Sequence, residues 1–292
     1  GAACSRSGLR VDPAASELDE TGSSSSTSSG VGGAGGVALS SSSNASAGGG
    51  GAAVDAGADA PADVEVPPVV EDIFVHSGQN LYALDPISFV MSTVGTFNGC
   101  GSSVIDLAAS SSGLLYAASG DGLYRVEAAT GACSLIASGA YPNSLAVVPK
   151  GVLDPDSEAL VGFIGELYVR IDENDGTFTI LGNLGNQGYW SSGDVMVLPT
   201  GRAYLTVNGN GCDDCLVEVD PVTGALIEVV ASLDYASVYG LASSEGRAFG
   251  FDASGSAFLV ELDTGVTTPI DIVNPVPGVS FFGAASRPAT DR

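Results

Sequence analysis

Two aspartates, Asp106 and Asp194, lie on or beside short strands of small apolar residues, VIDLAAS and DVMVLP. Two carboxyl groups held roughly 5 to 10 Å apart can hydrolyse a glycosidic bond when one of them has a raised pKa. Their separation depends on the fold that carries the two strands. These residues therefore keep a glycoside-acting enzyme open as one function of the chain.

The single histidine, His76, lies in the alternating stretch DIFVHSG, which is typical of a β-strand. A Ser/His/Asp mechanism would have to use this residue, and the sequence contains no G-x-S-x-G turn to present a nucleophile. We therefore expect a structural role for His76, and no residue is assigned as catalytic.

Four cysteines follow Cys4 in the chain, namely Cys100, Cys133, Cys212 and Cys215. An even number in an exported chain predicts disulfides, although four cysteines allow three connectivities. A zinc site is an alternative, but the spacing lacks a second close pair and the chain has one histidine. A thioredoxin-like redox pair is a further alternative, but GNGCDDCLVEV is a hairpin pattern and not a helix start.

A stretch at 215–230, CLVEVDPVTGALIEVV, recurs in weaker form at 122–137 as GLYRVEAATGACSLIA. Aligning the acid that closes each copy of this stretch identifies five repeat units. These acids are Asp85, Glu127, Asp172, Asp220 and Asp263, at intervals of 42, 45, 48 and 43 residues. Four of them precede a glycine by two to four residues, as expected for a hairpin with a positive φ. Intervals of this size indicate the blades of a β-propeller.

Each unit contains four short strands, and the first is small and apolar because blades converge on a central channel. The first unit begins at a second strand, DIFVHSG, and the chain ends on an unpartnered first strand, FFGAAS. Pairing these two fragments would close the ring and cover the exposed edges. The predicted fold class is all-β: a five-bladed β-propeller of four-stranded antiparallel blades over residues 71–292. An open β-sandwich is the competing fold.

Residues 72–292 resemble YVTN-type and related bacterial β-propeller proteins in this degenerate strand pattern. The resemblance implies a fold and not an activity. Proximity within the predicted blades pairs Cys100 with Cys133 and Cys212 with Cys215.

The loops that enter the first strands of a propeller collect on one face around the channel, where ligands usually dock. Aromatic rings, amides and acids in or beside these loops suit sugar rings or a peptide. The candidate ligand-binding residues are Tyr141, Asn143, Tyr189, Trp190, Asp194, Asp213, Asp214, Asp234 and Tyr235. We expect Tyr189 and Trp190 to be partly exposed, with Asp194, Asp213 and Asp234 near enough to bind hydroxyl groups or hold a calcium ion.

The N-terminal segment, residues 1–70, differs from the rest in composition. Its opening, GAACSRSG, resembles a bacterial lipobox with Ala2 and Ala3 before Cys4, although Gly1 replaces the usual leucine. The resemblance implies an upstream leader, lipid on Cys4 and, because Ser5 follows, sorting to the outer membrane. The Ser/Gly/Ala-rich remainder lacks the apolar residues of a core and is predicted to be a disordered tether.

The formal net charge of −25, with Lys150 as the only lysine, argues against binding to nucleic acid. The same charge opposes an anionic membrane surface, so a lipid anchor is the only membrane contact expected. These features predict a noncatalytic, monomeric surface lipoprotein that binds protein or glycan ligands and has no resident cofactor. A glycoside-acting enzyme and a purely structural envelope component are the alternatives.

Overall fold

The computed structural model describes residues 73–287, which form an all-β fold. Within that range there is no helix long and apolar enough to cross a membrane. The predicted tether and Cys4 lie outside the described residues. The strands are, in chain order, β1 (Ile73–His76), β2 (Asn80–Leu84), β3 (Met91–Thr96), β4 (Val104–Ala109), β5 (Leu115–Ser119), β6 (Gly122–Val126), β7 (Cys133–Ser138), β8 (Ser144–Val148), β9 (Ala159–Ile164), β10 (Leu167–Ile171), β11 (Phe178–Asn183), β12 (Tyr189–Val197), β13 (Ala203–Gly209), β14 (Cys212–Val219), β15 (Leu226–Ser232), β16 (Val238–Ser244), β17 (Arg247–Asp252), β18 (Ala257–Val260), β19 (Thr267–Ile270) and β20 (Gly283–Ala285).

The strands form five antiparallel sheets of four strands each, as the repeat predicts. Four sheets use consecutive strands, starting at β4, β8, β12 and β16, and the remaining sheet has the order β20-β1-β2-β3. The first strands β20, β4, β8, β12 and β16 pack against one another around a central channel. The fold is therefore a five-bladed β-propeller, and the β-sandwich alternative is wrong.

The ring closes through the two ends of the described chain, as predicted. β20 pairs with β1 in a register that sets His76 opposite Gly283 and Phe74 opposite Ala285. Phe281, just before β20, is fully buried. The blade that contains β1 is thus completed by a strand from the other end of the sequence.

The repeated acid organises the turn from the third to the fourth strand of a blade. The carboxylate of Asp220 accepts hydrogen bonds from the main-chain N–H groups of Val222 and Thr223, both at 2.8 Å. The Asp220 carbonyl accepts from the N–H of Gly224 at 2.7 Å, and Gly224 has a φ of 69° that suits glycine. The equivalent main-chain hydrogen bond is made by Asp85, Glu127 and Asp172, so four of the five repeated acids hold turns.

The first and last turns depart from the sequence alignment. In the last blade the turn acid is Glu261 and not Asp263, because the Gly265 N–H donates to the Glu261 carbonyl at 2.7 Å. The stretch ELD offers two acids, and alignment on the strand pattern selects the wrong one. In the first blade Phe89 takes the place of the glycine, with a φ of 56°, and its N–H donates to the Asp85 carbonyl at 2.9 Å.

The hydrophobic core lies between neighbouring blades. First strands such as β8 are buried along their length, whereas outer strands such as β11 are largely exposed. One core joins the blade of β8–β11 to the blade of β12–β15 and contains Phe163, Tyr168 and Val217. Because every blade packs on two neighbours, the first strands are held firmly around the channel.

Both predicted disulfide pairings are present. Cys100 and Cys133, with Cα atoms 5.2 Å apart, join the loop before β4 to the outer strand of the same blade. Cys212 and Cys215, with Cα atoms 5.9 Å apart, close a bulge at the start of β14. Each disulfide therefore cross-links two residues of the same blade.

Candidate functional site

Two carboxyl groups occupy the central channel. Asp106 on β4 and Asp194 on β12 are fully buried. One main-chain N–H group from each of the five first strands donates to this carboxylate pair, and the donors are Leu107, Leu145, Val195, Leu241 and Ala284. Asp106 accepts at 2.8 and 2.6 Å, and Asp194 accepts at 2.7, 2.7 and 3.4 Å. The carboxylate pair thus ties all five blades together at their axis.

The two carboxyl groups are neighbours in the channel and influence each other's ionisation. Burial raises the pKa of each well above the ordinary aspartate value, and the charge of Asp194 raises the pKa of Asp106 further. Two neighbouring carboxylates away from water cannot both ionise readily, so the channel favours the protonated form of at least one of them.

These contacts correct two expectations about the carboxylate pair. Asp194 was expected to reach a ligand or a calcium ion at the channel mouth, but it is fully buried. Every oxygen of Asp106 and Asp194 already accepts an N–H group. The pair is therefore placed to hold the blades and not to attack a glycosidic bond.

Small residues occupy the equivalent positions of the other first strands. These residues are Ser144, Gly240 and Gly283. A Cβ atom on Gly283 would collide with the Asp106 carboxylate and the His76 imidazole, and one on Gly240 would come within 3.0 Å of β20. Gly283 is thus the steric complement of Asp106, whereas Gly240 allows β16 to pack closely on β20.

His76 lies beside the carboxylate pair at the end of β1. It is fully buried, its Nδ1 lies 2.9 Å from the Ser77 carbonyl, and its Nε2 has no hydrogen-bond partner. Burial lowers the pKa of His76 to about 4, so the ring is neutral at pH 7. The ring of His76 also packs edge-on against the Phe97 ring, with centroids 5.9 Å apart.

A cavity of about 20 Å³ lies in the channel between the later residues of the first strands, and its lining includes Ala108, Ala146, Val147 and Met196. This volume holds about one water molecule, so the cavity is too small for a sugar ring.

The upper face is defined here as the end of the propeller where each first strand begins. Trp190 stands on this face near the start of β12, opposite Asn208, and 48% of it is exposed. Its ring covers Gly209, where a Cβ atom would come within 2.7 Å of Cζ3. β12, β13 and β14 have nine, seven and eight residues, longer than most other strands, so Trp190 rests on an extended sheet.

Tyr189 departs from the expectation of exposure, since only 8% of it is exposed. Adjacent residues of a strand point to opposite faces, and Tyr189 packs into the core while Trp190 turns outward. The Tyr189 hydroxyl accepts a hydrogen bond from the Asn210 side-chain amide at 3.2 Å. Only one of the two neighbouring aromatic residues is therefore available to a partner.

Three further candidates are engaged in internal contacts. The Tyr141 hydroxyl donates to the Gly176 carbonyl at 3.0 Å. The Asn143 amide donates to the Ser191 hydroxyl at 3.2 Å. Tyr235 is half-buried and stacks on a phenylalanine ring at a centroid distance of 3.8 Å. Each of these side chains therefore makes at least one contact within the propeller.

The remaining acids divide into one buried and two exposed. Asp214 is buried in the disulfide-closed bulge, where its carboxylate accepts from the Ser192 hydroxyl at 3.1 Å and from the Ser237 N–H. Asp213 and Asp234 are exposed on the upper face. Within residues 73–287, no group of three or more His, Cys, Asp or Glu side chains is placed to hold a metal ion. Calcium binding stays a prediction.

Sequence reasoning missed two exposed apolar residues of the upper face, Ile164 and Leu167. They flank the β9–β10 turn and are 39% and 41% exposed. The Ser191 N–H donates to the Gly165 carbonyl at 3.0 Å, which sets this turn beside Trp190. We call Ile164, Leu167 and Trp190 the apolar patch. The signal was present in FIGELYV, where a two-residue turn leaves its apolar neighbours at the tip.

No family model and no curated protein matches the chain. Among solved structures, it is similar to a chain in the crystal structure of a nidogen/laminin complex, with a TM-score of 0.47 and 10% identity over 73% of this chain and 97% of that one. It is similar to BamB from Moraxella catarrhalis, with a TM-score of 0.35 and 15% identity over 68% of this chain and 58% of BamB. The WD40 β-propeller domain of Doa1 gives a TM-score of 0.41 and 13% identity over 73% of this chain and 67% of that one. At these values the likeness carries no information on what this chain binds.

Proposed function

We propose that this protein is a noncatalytic β-propeller that binds a polypeptide partner on its upper face. The observation that carries the proposal is the apolar patch, with Ile164 and Leu167 exposed at the β9–β10 turn and Trp190 exposed on β12 of the neighbouring blade, to which that turn is hydrogen-bonded. Aromatic side chains on a rigid base lose little conformational entropy on binding and are common anchors in protein interfaces.

A noncatalytic role is supported by the channel. A glycoside-acting site needs two carboxyl groups that reach the substrate. Asp106 and Asp194 are the acids nearest the axis, and both are buried under the N–H groups of the first strands.

A polypeptide is favoured over a glycan because sugar recognition uses amide and hydroxyl groups, which can both donate and accept hydrogen bonds, as well as carboxylates beside the aromatic ring. On the upper face the polar groups of Tyr141, Asn143, Tyr189 and Asp214 already have partners within the chain. The groups that remain exposed on this face are apolar side chains and carboxylates.

We also propose that the protein is held at the cell surface or outer membrane by lipid on Cys4. The support is the lipobox-like GAACS and the Ser/Gly/Ala-rich segment that separates it from the propeller. A tether of this composition would let the upper face reach partners away from the membrane.

Binding is tested by probing arrays of peptides and glycans with the full chain and with two alanine variants. Trp190→Ala should weaken peptide binding by about 1–3 kcal/mol because it removes a contact anchor. Ile180→Ala is the matched control, since Ile180 is 65% exposed on the outer strand β11, away from the upper face. Binding to glycans alone, or equal losses in both variants, would contradict the proposal.

A further inference from the structure

The positive charges of the propeller are confined to one face. Of the nine Lys and Arg residues of the chain, six fall within residues 73–287. All six lie at the lower face, opposite the upper face, and they are Arg125, Lys150, Arg170, Arg202, Arg247 and Arg287.

Contacts of these side chains confirm their position at the lower face. Arg125 donates to the Glu173 carbonyl at 2.7 Å, in a turn from a third to a fourth strand. Arg202 pairs with Glu218 at 2.7 Å, and Arg247 donates to the Pro86 carbonyl at 2.6 Å in another such turn. Three lower-face acids, Asp154, Glu218 and Asp263, form ion pairs with these arginines.

The upper face has only acids among its charged residues in the described part of the chain. Exposed or half-exposed carboxylates occur in the loops at this end, at Asp121, Glu166, Asp213, Asp234 and Asp271. Asp121 stays ionised, because hydrogen bonds from the hydroxyls of Ser119 at 2.6 Å and Ser102 at 2.9 Å lower its pKa. The charged side chains on the face that carries the apolar patch are therefore all acidic.

We propose that the partner of the upper face is a cationic polypeptide segment that places Lys or Arg beside apolar side chains. This inference rests on the proposed function and adds the partner's chemistry. A basic side chain would lie across the exposed ring of Trp190, since the face of an indole attracts cations. Glu166, in the turn beside that ring, and Asp213, in the same blade as the ring, supply opposite charge, while Ile164 and Leu167 meet the apolar neighbours.

Charge complementarity selects this partner over an acidic or neutral one. An acidic segment would meet carboxylates with no cation among the described residues of the upper face to offset them, and like charges at an interface are unfavourable. A cationic segment is also drawn in from a distance by the same field, which speeds association at low ionic strength.

The experiment selects random peptides, displayed on phage, against the full 292-residue chain. Enriched peptides should contain Lys or Arg next to an apolar residue, and their affinity as synthetic peptides should fall as salt rises. Trp190→Ala should reduce that affinity by about tenfold or more. Asp213→Lys should also reduce it, because the new cation repels the peptide.

Two matched variants control for general effects, namely Ile180→Ala for lost apolar surface and Asp156→Lys for changed net charge. Asp156 is exposed in a lower-face loop, so its replacement leaves the upper face intact. Both controls should bind enriched peptides as the parent does. All four variants alter exposed residues, and circular dichroism melting will verify that each is folded.

The outcomes separate the two proposals. Enrichment of neutral or acidic peptides that still need Trp190 would overturn the cationic partner and leave the proposed function standing. Failure to enrich any peptide whose binding depends on Trp190 would overturn both. A Lys- or Arg-bearing peptide that loses affinity equally in Asp156→Lys and Asp213→Lys binds by net charge alone and contradicts the upper face as its site.

Discussion

Substitution of Asp194 should lower the stability of the fold more than most substitutions do, because its side chain is fully buried and hydrogen-bonded. Its carboxylate accepts the N–H groups of Val195 and Leu241 at 2.7 Å, and that of Ala284 at 3.4 Å. The change Asp194→Ala leaves these buried amides without an acceptor. Leaving a buried amide unpaired costs about 1–3 kcal/mol, so the two short contacts alone amount to roughly 2–6 kcal/mol.

Part of that loss is offset, since removing Asp194 also removes the unfavourable burial of one carboxyl group. We therefore expect Asp194→Ala to lower the free energy of unfolding by about 2–4 kcal/mol. For a domain of this size that corresponds to a fall in Tm of roughly 5–15 °C. Asp213→Ala, at an exposed acid of the same blade, should change the free energy by no more than about 0.5 kcal/mol.

Urea unfolding followed by circular dichroism measures both variants against the parent. Asp194→Asn serves as a milder substitution should the alanine variant fail to fold. It keeps one oxygen and turns the other into a donor, so about half of the loss should remain. If Asp194→Ala and Asp213→Ala have the same Tm as the parent, the carboxylate pair does not hold the blades together and the reasoning fails.

Three other predictions follow from the channel, the ring closure and the N-terminal segment. The folded pKa of Asp106 and Asp194 is raised, so their stabilising contribution is complete below the ordinary aspartate pKa and is lost as pH rises through the folded values. Tm should therefore fall as pH rises above the ordinary aspartate pKa of about 4, and less steeply in Asp106→Asn, because the asparagine side chain cannot ionise; parallel curves would contradict this. Deleting residues 279–292 removes β20 and the buried Phe281 and should cause aggregation visible by size-exclusion chromatography, whereas a monomer of unchanged Tm would contradict closure. With its leader, the parent should sediment with membranes and Cys4→Ser should not; equal partitioning would remove the lipid anchor.

The sequence was sufficient to predict the fold because the blades repeat. A turn acid every forty or so residues marks each hairpin, and the strand fragments at the two ends complement each other. Disulfide pairing followed from the blades, since each bond joins cysteines of one blade. The last turn was assigned wrongly, at Asp263 in place of Glu261. The stretch ELD contains two acids two residues apart, and sequence alone does not show at which of them the strand ends.

The upper face was harder to predict because it depends on where strands end. Residues 186–192 have loop composition, which suggested that Tyr189 and Trp190 would both be exposed. β12 begins at Tyr189, however, and the alternation of a strand then sends one ring inward and the other outward. The apolar patch also needed the fold, since the β9–β10 turn and β12 belong to different blades and are brought together by the hydrogen bond from Ser191 to Gly165.

The carboxylate pair shows how residues with no sequence proximity can form one unit through symmetry. Five blades present five equivalent amides to the channel, and the residues that precede them are Asp106, Ser144, Asp194, Gly240 and Gly283. Two carboxyl groups supply acceptors for all five amides, and Gly283 leaves space beside the Asp106 carboxylate. A third acid would bring another buried charge without an unpaired amide to satisfy, while a single acid would leave amides unpaired. Two acids are therefore sufficient for the five converging amides, and Asp106 and Asp194 need no catalytic role to explain their burial.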